Sequence, residues 1–494
     1  MSMLKEKFKG TYFISFISIT TAICEFGISS IFILFLLYIL NFSHPLASET
    51  YAYYYGIAYL FPIFIGYLSD KYLTKTGALT IGFITMIISQ LSLAFSASLY
   101  VPSTIQYDHY ISNLQNLSFL IGLFCLALGV SFTNISISHI INSVNKTERL
   151  KIDGLSIYYP ILNIGVIIGV ILMSLIIGDK NYYLYKWGFL TLAFILIIGL
   201  IIFRLLKNKY LVDNDGKLME DNKKYKNPIK KESLRVLSKK SSKSIQQIKN
   251  LNLKEKVILY KQSLTKVEKD KLVVFFIFLV FIIIYRISYT QTTTSMIFFI
   301  DNYVDRNISF FNIPVQFFSI LNPLFVLILG PIFLKINYKL EEKKIEFGIV
   351  KRIILALIVL AIVFMILSGI GYYIDIDAVS KINLLWMPLI EIIIAISELL
   401  FSIAGYSMIG DLTYEKYYSL FFGLFIATGS ISRYMSGLIA IEFPVYDTPK
   451  FVYSIPIDGV MEYYCLFVFM NLVAAAVLII YRKKITEKMH IDES

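Results

Sequence analysis

KNKYLVDNDGKLMEDNKKYKNPIKK, residues 207–231, opens a polar run that ends only at Lys271. Between Lys207 and Lys271 stand nineteen Lys/Arg against eight Asp/Glu, a net +11 in a chain of 494 residues whose total is +12. Nearly all the excess positive charge is therefore in one segment, and a bilayer core rejects such a segment. On either side the chain is apolar. A spanning helix needs about 20 mostly apolar residues. The runs that qualify are 11–40, 51–72, 78–99, 117–142, 155–178 and 187–206 before it, and 272–300, 312–336, 348–373, 382–410, 417–442 and 462–481 after it. Loops on the cytoplasmic side carry the Lys/Arg excess, so the basic run is expected there. An even number of spans then places both termini on the same side. The short loops agree: 335–352 nets +3 and the N-terminus +2, whereas 41–50, 100–116, 301–311 and 374–381 each net −1.

Composition narrows the function. The chain is 57% hydrophobic and 16% charged, against roughly 25% charged in an average soluble protein. A basic run can be a nucleic-acid tail, but a chain that is otherwise membrane makes contact with anionic lipid the better reading of this one. Four His and three Cys leave little for metal chemistry, and Cys24, Cys125 and Cys465 sit inside apolar runs without ligand spacing. No metal, cofactor or nucleic acid is expected. The apolar run after the basic N-terminus is too long for a signal-peptide core and lacks a small-residue cleavage site, so it reads as a retained first span.

The expected architecture is an all-α membrane protein of twelve transmembrane helices in two halves, residues 1–206 and 272–494, joined by a cytoplasmic linker at 207–271. The halves echo each other: Leu60-Phe61-Pro62-Ile63-Phe64-Ile65 in span 2 returns as Leu329-Gly330-Pro331-Ile332-Phe333-Leu334 in span 8. Two six-helix halves with a long central loop form the layout of the major facilitator fold, whose substrate site lies at the midplane between the halves.

Polar groups inside the spans point to that site. Ser18, Glu25 and Ser29 share a face of span 1; Ser131, Asn134 and Ser138 a face of span 4; Tyr159 and Asn163 a face of span 5. Span 7 offers Arg286, Thr290 and Thr293, span 10 offers Glu391, Glu398, Ser402 and Gly405, and span 11 offers Arg433. The Ser and Thr residues are explained by bonds to their own helices' carbonyls or by close helix packing. Charges are different: each costs at least ~2.5–3.5 kcal/mol at the bilayer centre, so Glu25, Arg286 and Glu398 should face a partner or a wet cavity. The sequence has no phosphate loop, no His-Glu-x-x-His and no nucleophile elbow, so neither an enzyme nor an ATP-driven pump is indicated.

Tyr59-Leu60-Phe61-Pro62-Ile63-Phe64-Ile65-Gly66-Tyr67-Leu68-Ser69-Asp70-Lys71 resembles the Tyr-Leu-x-Pro-x-x-Gly-Gly-x-x-Ala-Asp-Arg run of the proton-dependent oligopeptide transporter family. In the family's order follow Asp153 to Gly165 in span 5, Gln291 and Ser295 in span 7, Gln316 to Phe325 in span 8, and Glu398-Leu399-Leu400-Phe401-Ser402-Ile403-Ala404-Gly405 in span 10. The resemblance covers residues 12 to 442. It implies a monomeric, proton-coupled carrier of small peptides in the plasma membrane of the cell, without cofactor, working by alternating access. Tyr59, Asn163, Gln291, Asn322, Glu398 and Ser402 are then the substrate-binding positions, Glu25, Arg286 and Glu398 a proton-coupling charge network, and Asp70 a cytoplasmic gate. A carrier for an amino acid or other small organic solute, or a receptor that binds without flux, are the rival readings.

The departures concern charge. With the register fixed on Phe26 and Tyr38, the family's Glu-x-x-Glu-Arg in span 1 becomes Thr21, Cys24 and Glu25; a one-residue slip makes Glu25 the second Glu. The span 4 Lys-Pro-Asn becomes Phe132-Thr133-Asn134. Relatives sum to zero at these positions and this chain to −1, which Arg286 restores to zero. Arg286 is therefore expected to pair with Glu25, or failing that with Glu398.

Overall fold

The computed structural model describes residues 8–100, 113–145, 148–179, 181–213, 216–219, 265–309, 311–343, 347–376, 380–412, 418–444, 450–452 and 455–490. The middle of the basic run, 220–264, thus lies outside the described residues. The helices are α1 (Lys9–Tyr38), α2 (His44–Ala58), α3 (Phe61–Tyr72), α4 (Lys75–Ser98), α5 (Asn113–Val144), α6 (Glu148–Ile177) and α7 (Tyr185–Tyr210). After the basic run come α8 (Lys266–Thr290), α9 (Ser295–Tyr303), α10 (Leu321–Glu342), α11 (Ile349–Asp375), α12 (Trp386–Leu412), α13 (Tyr418–Ala440) and α14 (Val460–Met489). Among the described residues, ten helical stretches are long and apolar enough to cross a membrane. Neither the pair α2 and α3, where span 2 was expected, nor α13, where span 11 was expected, is one of the ten. Helices dominate because hydrocarbon offers the backbone no partner. Among the described residues three two-stranded pairings occupy loops, such as the parallel contact of Val304–Asp305 with Ile382–Asn383.

Span 2 is two helices, and the sequence says why. Ser43 caps α2 by accepting from the Leu46 amide, with a proline in the first turn, so the helix starts ahead of the expected boundary. It stops at Ala58 because Pro62 has no N–H to return and its ring opposes helical backbone just before it. The echo partner Pro331 sits inside continuous helix α10 instead. Span 7 is also broken: α8 ends at Thr290, a tight turn covers Gln291–Thr293, and α9 follows. A capping box starts α8, with Glu268 N donating to Thr265 Oγ1 at 3.2 Å and Thr265 N to Glu268 Oε2 at 2.6 Å. The basic run therefore gives way to helix a little before Lys271.

Within the first half α1 packs along α6. A Cβ at Gly169 would stand 2.5 Å from the carbonyl oxygen of Ile23, and one at Gly165 2.8 Å from Ala22 Cβ, the small-xxx-small contact of membrane helices. In the second half α11 packs along α14, and Asp375 caps the latter by accepting from Val460 N at 2.9 Å and Met461 N at 2.8 Å. The start of α1 meets the end of α7, where Phe13 stacks on Tyr210 with centroids 5.2 Å apart, and the end of α14 meets the start of α8, where Lys488 Nζ reaches Asp270 Oδ1 at 3.2 Å. The halves meet along two seams, α2 against α13 and α6 against the turn Val315–Ile320 and α10. Contacts between them are dense at the end away from the termini, where Gln316 Nε2 donates to the Gly178 carbonyl at 3.0 Å.

Candidate functional site

The polar faces converge where the two halves meet. Arg433 of α13 reaches across the seam to α2. Its Nη1 donates to the Tyr51 hydroxyl at 3.3 Å, and its guanidinium carbon stands 5.0 Å from the Tyr55 ring centroid and 4.7 Å from that of Tyr59. Tyr51, Tyr55 and Tyr59 recur at helical spacing, so they form one stripe. The break after Ala58 leaves Tyr59 at the helix end, over the arginine. Glu25 of α1 lies near this group, with Asn134 of α5 beside its side chain and Arg433 within electrostatic reach.

Arg286, expected to pair with Glu25, turns to α13 in its described bonds. Arg286 Nη1 donates to Thr428 Oγ1 at 3.0 Å and to the Phe425 carbonyl at 3.2 Å, and the guanidinium carbon lies 4.5 Å from the Phe425 centroid. It is thereby directed to α13, within its own half. The two arginines remain neighbours: a Cβ at Gly429 would meet Arg286 Nη1 at 3.2 Å and Tyr59 Cδ1 at 3.4 Å.

Glu398 of α12 accepts from the Tyr289 hydroxyl at 2.8 Å, and Asn322 of α10 adjoins the same carboxylate. Ser402, one turn on, is half-buried, and Glu391, two turns back, is buried and feels the Glu398 charge. Asn163 is buried and donates to the Tyr159 carbonyl at 3.0 Å, while Tyr159 itself is 45% exposed on the same helix. Many of the remaining hydroxyls behave as expected: Ser18 bonds the Ser15 carbonyl, Ser131 that of Ala127 and Thr290 that of Arg286. Asp70 lies in α3, and its side chain is outside the described residues.

Gln291, expected as a substrate ligand, is engaged by the protein itself. It is 1% exposed, donates Nε2 to Ser436 Oγ at 2.9 Å, and accepts on Oε1 from Ser295 Oγ at 2.7 Å and Tyr463 OH at 3.0 Å. Its amide ties the break between α8 and α9 to α13 and α14 inside the second half. The local cause is the run Thr292 to Thr294, whose hydroxyls bond nearby carbonyls and compete with the helix ladder.

Residues 76–450 match the family model described as POT family. The chain belongs to the POT family. It is 22% identical over 410 residues to a peptide transporter of Yersinia enterocolitica subsp. palearctica, covering 78% of this chain and 77% of that one. It is 20% identical over 456 residues to dipeptide and tripeptide permease B of Photorhabdus asymbiotica, covering 88% and 87%. Among solved structures it resembles a mutant POT peptide transporter bound to alafosfalin, with TM-score 0.74 at 17% identity over 98% and 96% of the two chains. A POT family transporter bound to 5-aminolevulinic acid gives TM-score 0.74 at 17% identity, over 97% and 96%. The fold of this POT member is accordingly the major facilitator fold of those transporters. Its relatives are transporters rather than enzymes. Arg433 and the Tyr51, Tyr55, Tyr59 stripe join the candidate site through the structure; the i, i+4 tyrosines of YAYYYGIAY, residues 51–59, are their signal in the sequence.

Proposed function

We propose that this chain is a secondary active transporter of dipeptides and tripeptides, driven by protons, in which the halves 1–206 and 272–494 rock about a substrate held between them. The observation that carries this reading is the POT family match over residues 76–450. Glu398 with Tyr289, Asn322 and Ser402 forms one wall, and Tyr59 with Asn163 lies across from it. Glu25, Arg286 and Glu398 form the charge network that couples proton movement to the rocking, and Asp70 braces the cytoplasmic rim. The chain works as a monomer with twelve spans in the inner membrane, its basic linker and both termini in the cytoplasm. Charges that pair at a half-to-half interface and part as it opens are suited to such a switch.

A second reading is favoured by one observation: a similar transporter has been solved with 5-aminolevulinic acid, which is not a peptide. Counterflow in proteoliposomes separates the two. Exchange of labelled dialanine and trialanine, stimulated by an imposed pH gradient, is expected, with little exchange of alanine. Exchange of single amino acids or small organic acids without peptide exchange would replace the first reading by the second.

A further inference from the structure

We propose that Arg433, seated in the Tyr51–Tyr55–Tyr59 stripe, is the group that binds the carboxylate of the transported substrate; this rests on the peptide reading above. A guanidinium at this depth costs at least ~2.5–3.5 kcal/mol unless it faces an anion or a wet cavity. The contacts that the protein gives it are aromatic faces, worth about 0.5–2 kcal/mol, and one phenol. Among the described residues no carboxylate is in salt-bridge contact with Arg433. Glu25 acts on it only through the field. The side chain is also part-exposed, on a helix packed against α2 of the other half.

The geometry of the group suits one ligand chemistry. A guanidinium has five N–H donors in a planar fork. Here one of its nitrogens, Nη1, bonds Tyr51, and the two rings hold the plane without using donors. An edge left in this way matches a carboxylate in bidentate fashion, which an ammonium cannot do. Arg286 is less suited, since it bonds two groups of α13 and lies against Phe425.

The test compares dialanine with dialanine amide, which lacks the carboxylate. Both are titrated into purified wild-type protein and the Arg433→Gln and Arg433→Lys variants, with wild-type dialanine counterflow in parallel. Wild type is expected to bind the acid roughly 10- to 100-fold more tightly than the amide, the range of a charge-assisted hydrogen-bonded pair. Arg433→Gln should bring the acid down to the amide. Arg433→Lys, which keeps the charge in the tyrosine stripe, should retain the preference with weaker affinity and serves if the Gln variant does not fold. An unchanged preference in Arg433→Gln, or unchanged affinity in Arg433→Lys, overturns the inference while wild-type counterflow leaves the peptide reading standing. A wild type that neither binds nor exchanges dialanine overturns both.

Discussion

At Glu398 the carboxylate takes a hydrogen bond from Tyr289 and stands beside Asn322, in the middle of α12. Glu398→Gln keeps the shape and removes the charge. It should lower dialanine counterflow at least tenfold while the protein reaches the membrane in normal amount. Tyr289→Phe deletes one bond to a charged group, worth about 1.5–3 kcal/mol, and should lower it less. Wild-type flux in the Gln variant would reduce Glu398 to a packing residue. Glu25, Arg286 and Glu398 were legible as functional candidates because a charge deep in an apolar run has few innocent explanations. Their partners were not. Helical spacing fixes which residues share a face of one helix, whereas Glu25's cation depends on how α13 is turned against α1 and α2.

Among the elements, the two interrupted helices separate what sequence carries from what packing decides. Pro62 and Pro331 occupy echoed positions, yet only Pro62 coincides with a break. Pro331 is carried in continuous helix α10, so a proline in a span signals a weak point rather than an end. The interruption of span 7 has no proline, and it rests on Gln291. The amide serves Ser436, Ser295 and Tyr463 from three sides. Gln291→Ala would orphan those groups, and each interhelical bond of this kind is worth about 0.6–1.7 kcal/mol in membrane proteins. The expected result is a clear fall in the melting temperature of detergent-solubilised protein, with dialanine affinity in the folded fraction close to wild type. A variant of unchanged stability and lost affinity would return Gln291 to the binding site.

For the whole molecule, the run from Lys207 to Lys271 carries the orientation. A cysteine at position 241 should resist an impermeant thiol reagent in intact cells and react after permeabilisation. Labelling from outside would invert the topology. The two-half layout was legible because it needs only charge and run length, while the state of the carrier was not, because it depends on a network assembled from distant loops. Arg306, beyond α9, donates Nη1 to Asp179 Oδ1 at 2.6 Å and to the Ile313 carbonyl at 2.7 Å, and Nη2 to Asp301 Oδ1 at 3.1 Å. Tyr38 at the end of α1 donates to the same Asp301, and Asn312 Nδ2 bonds Asp179 Oδ2 at 2.6 Å. Asp179 and Tyr38 belong to the first half, Arg306, Asp301 and Asn312 to the second, so the network ties the halves at the end away from the termini. Arg306 is 7% exposed, and breaking a buried pair by removing one partner costs about 3–5 kcal/mol. That penalty falls on the conformer in which the ends touch and spares one in which they part, so Arg306→Gln should move the population toward opening at this end, tenfold for each ~1.4 kcal/mol. Spin labels on exposed Tyr183 and Phe311, one in each half, should then report a longer-distance component that the unsubstituted protein lacks. Identical distance distributions in the two proteins would leave the network a local brace of the loops and remove it from the transport cycle.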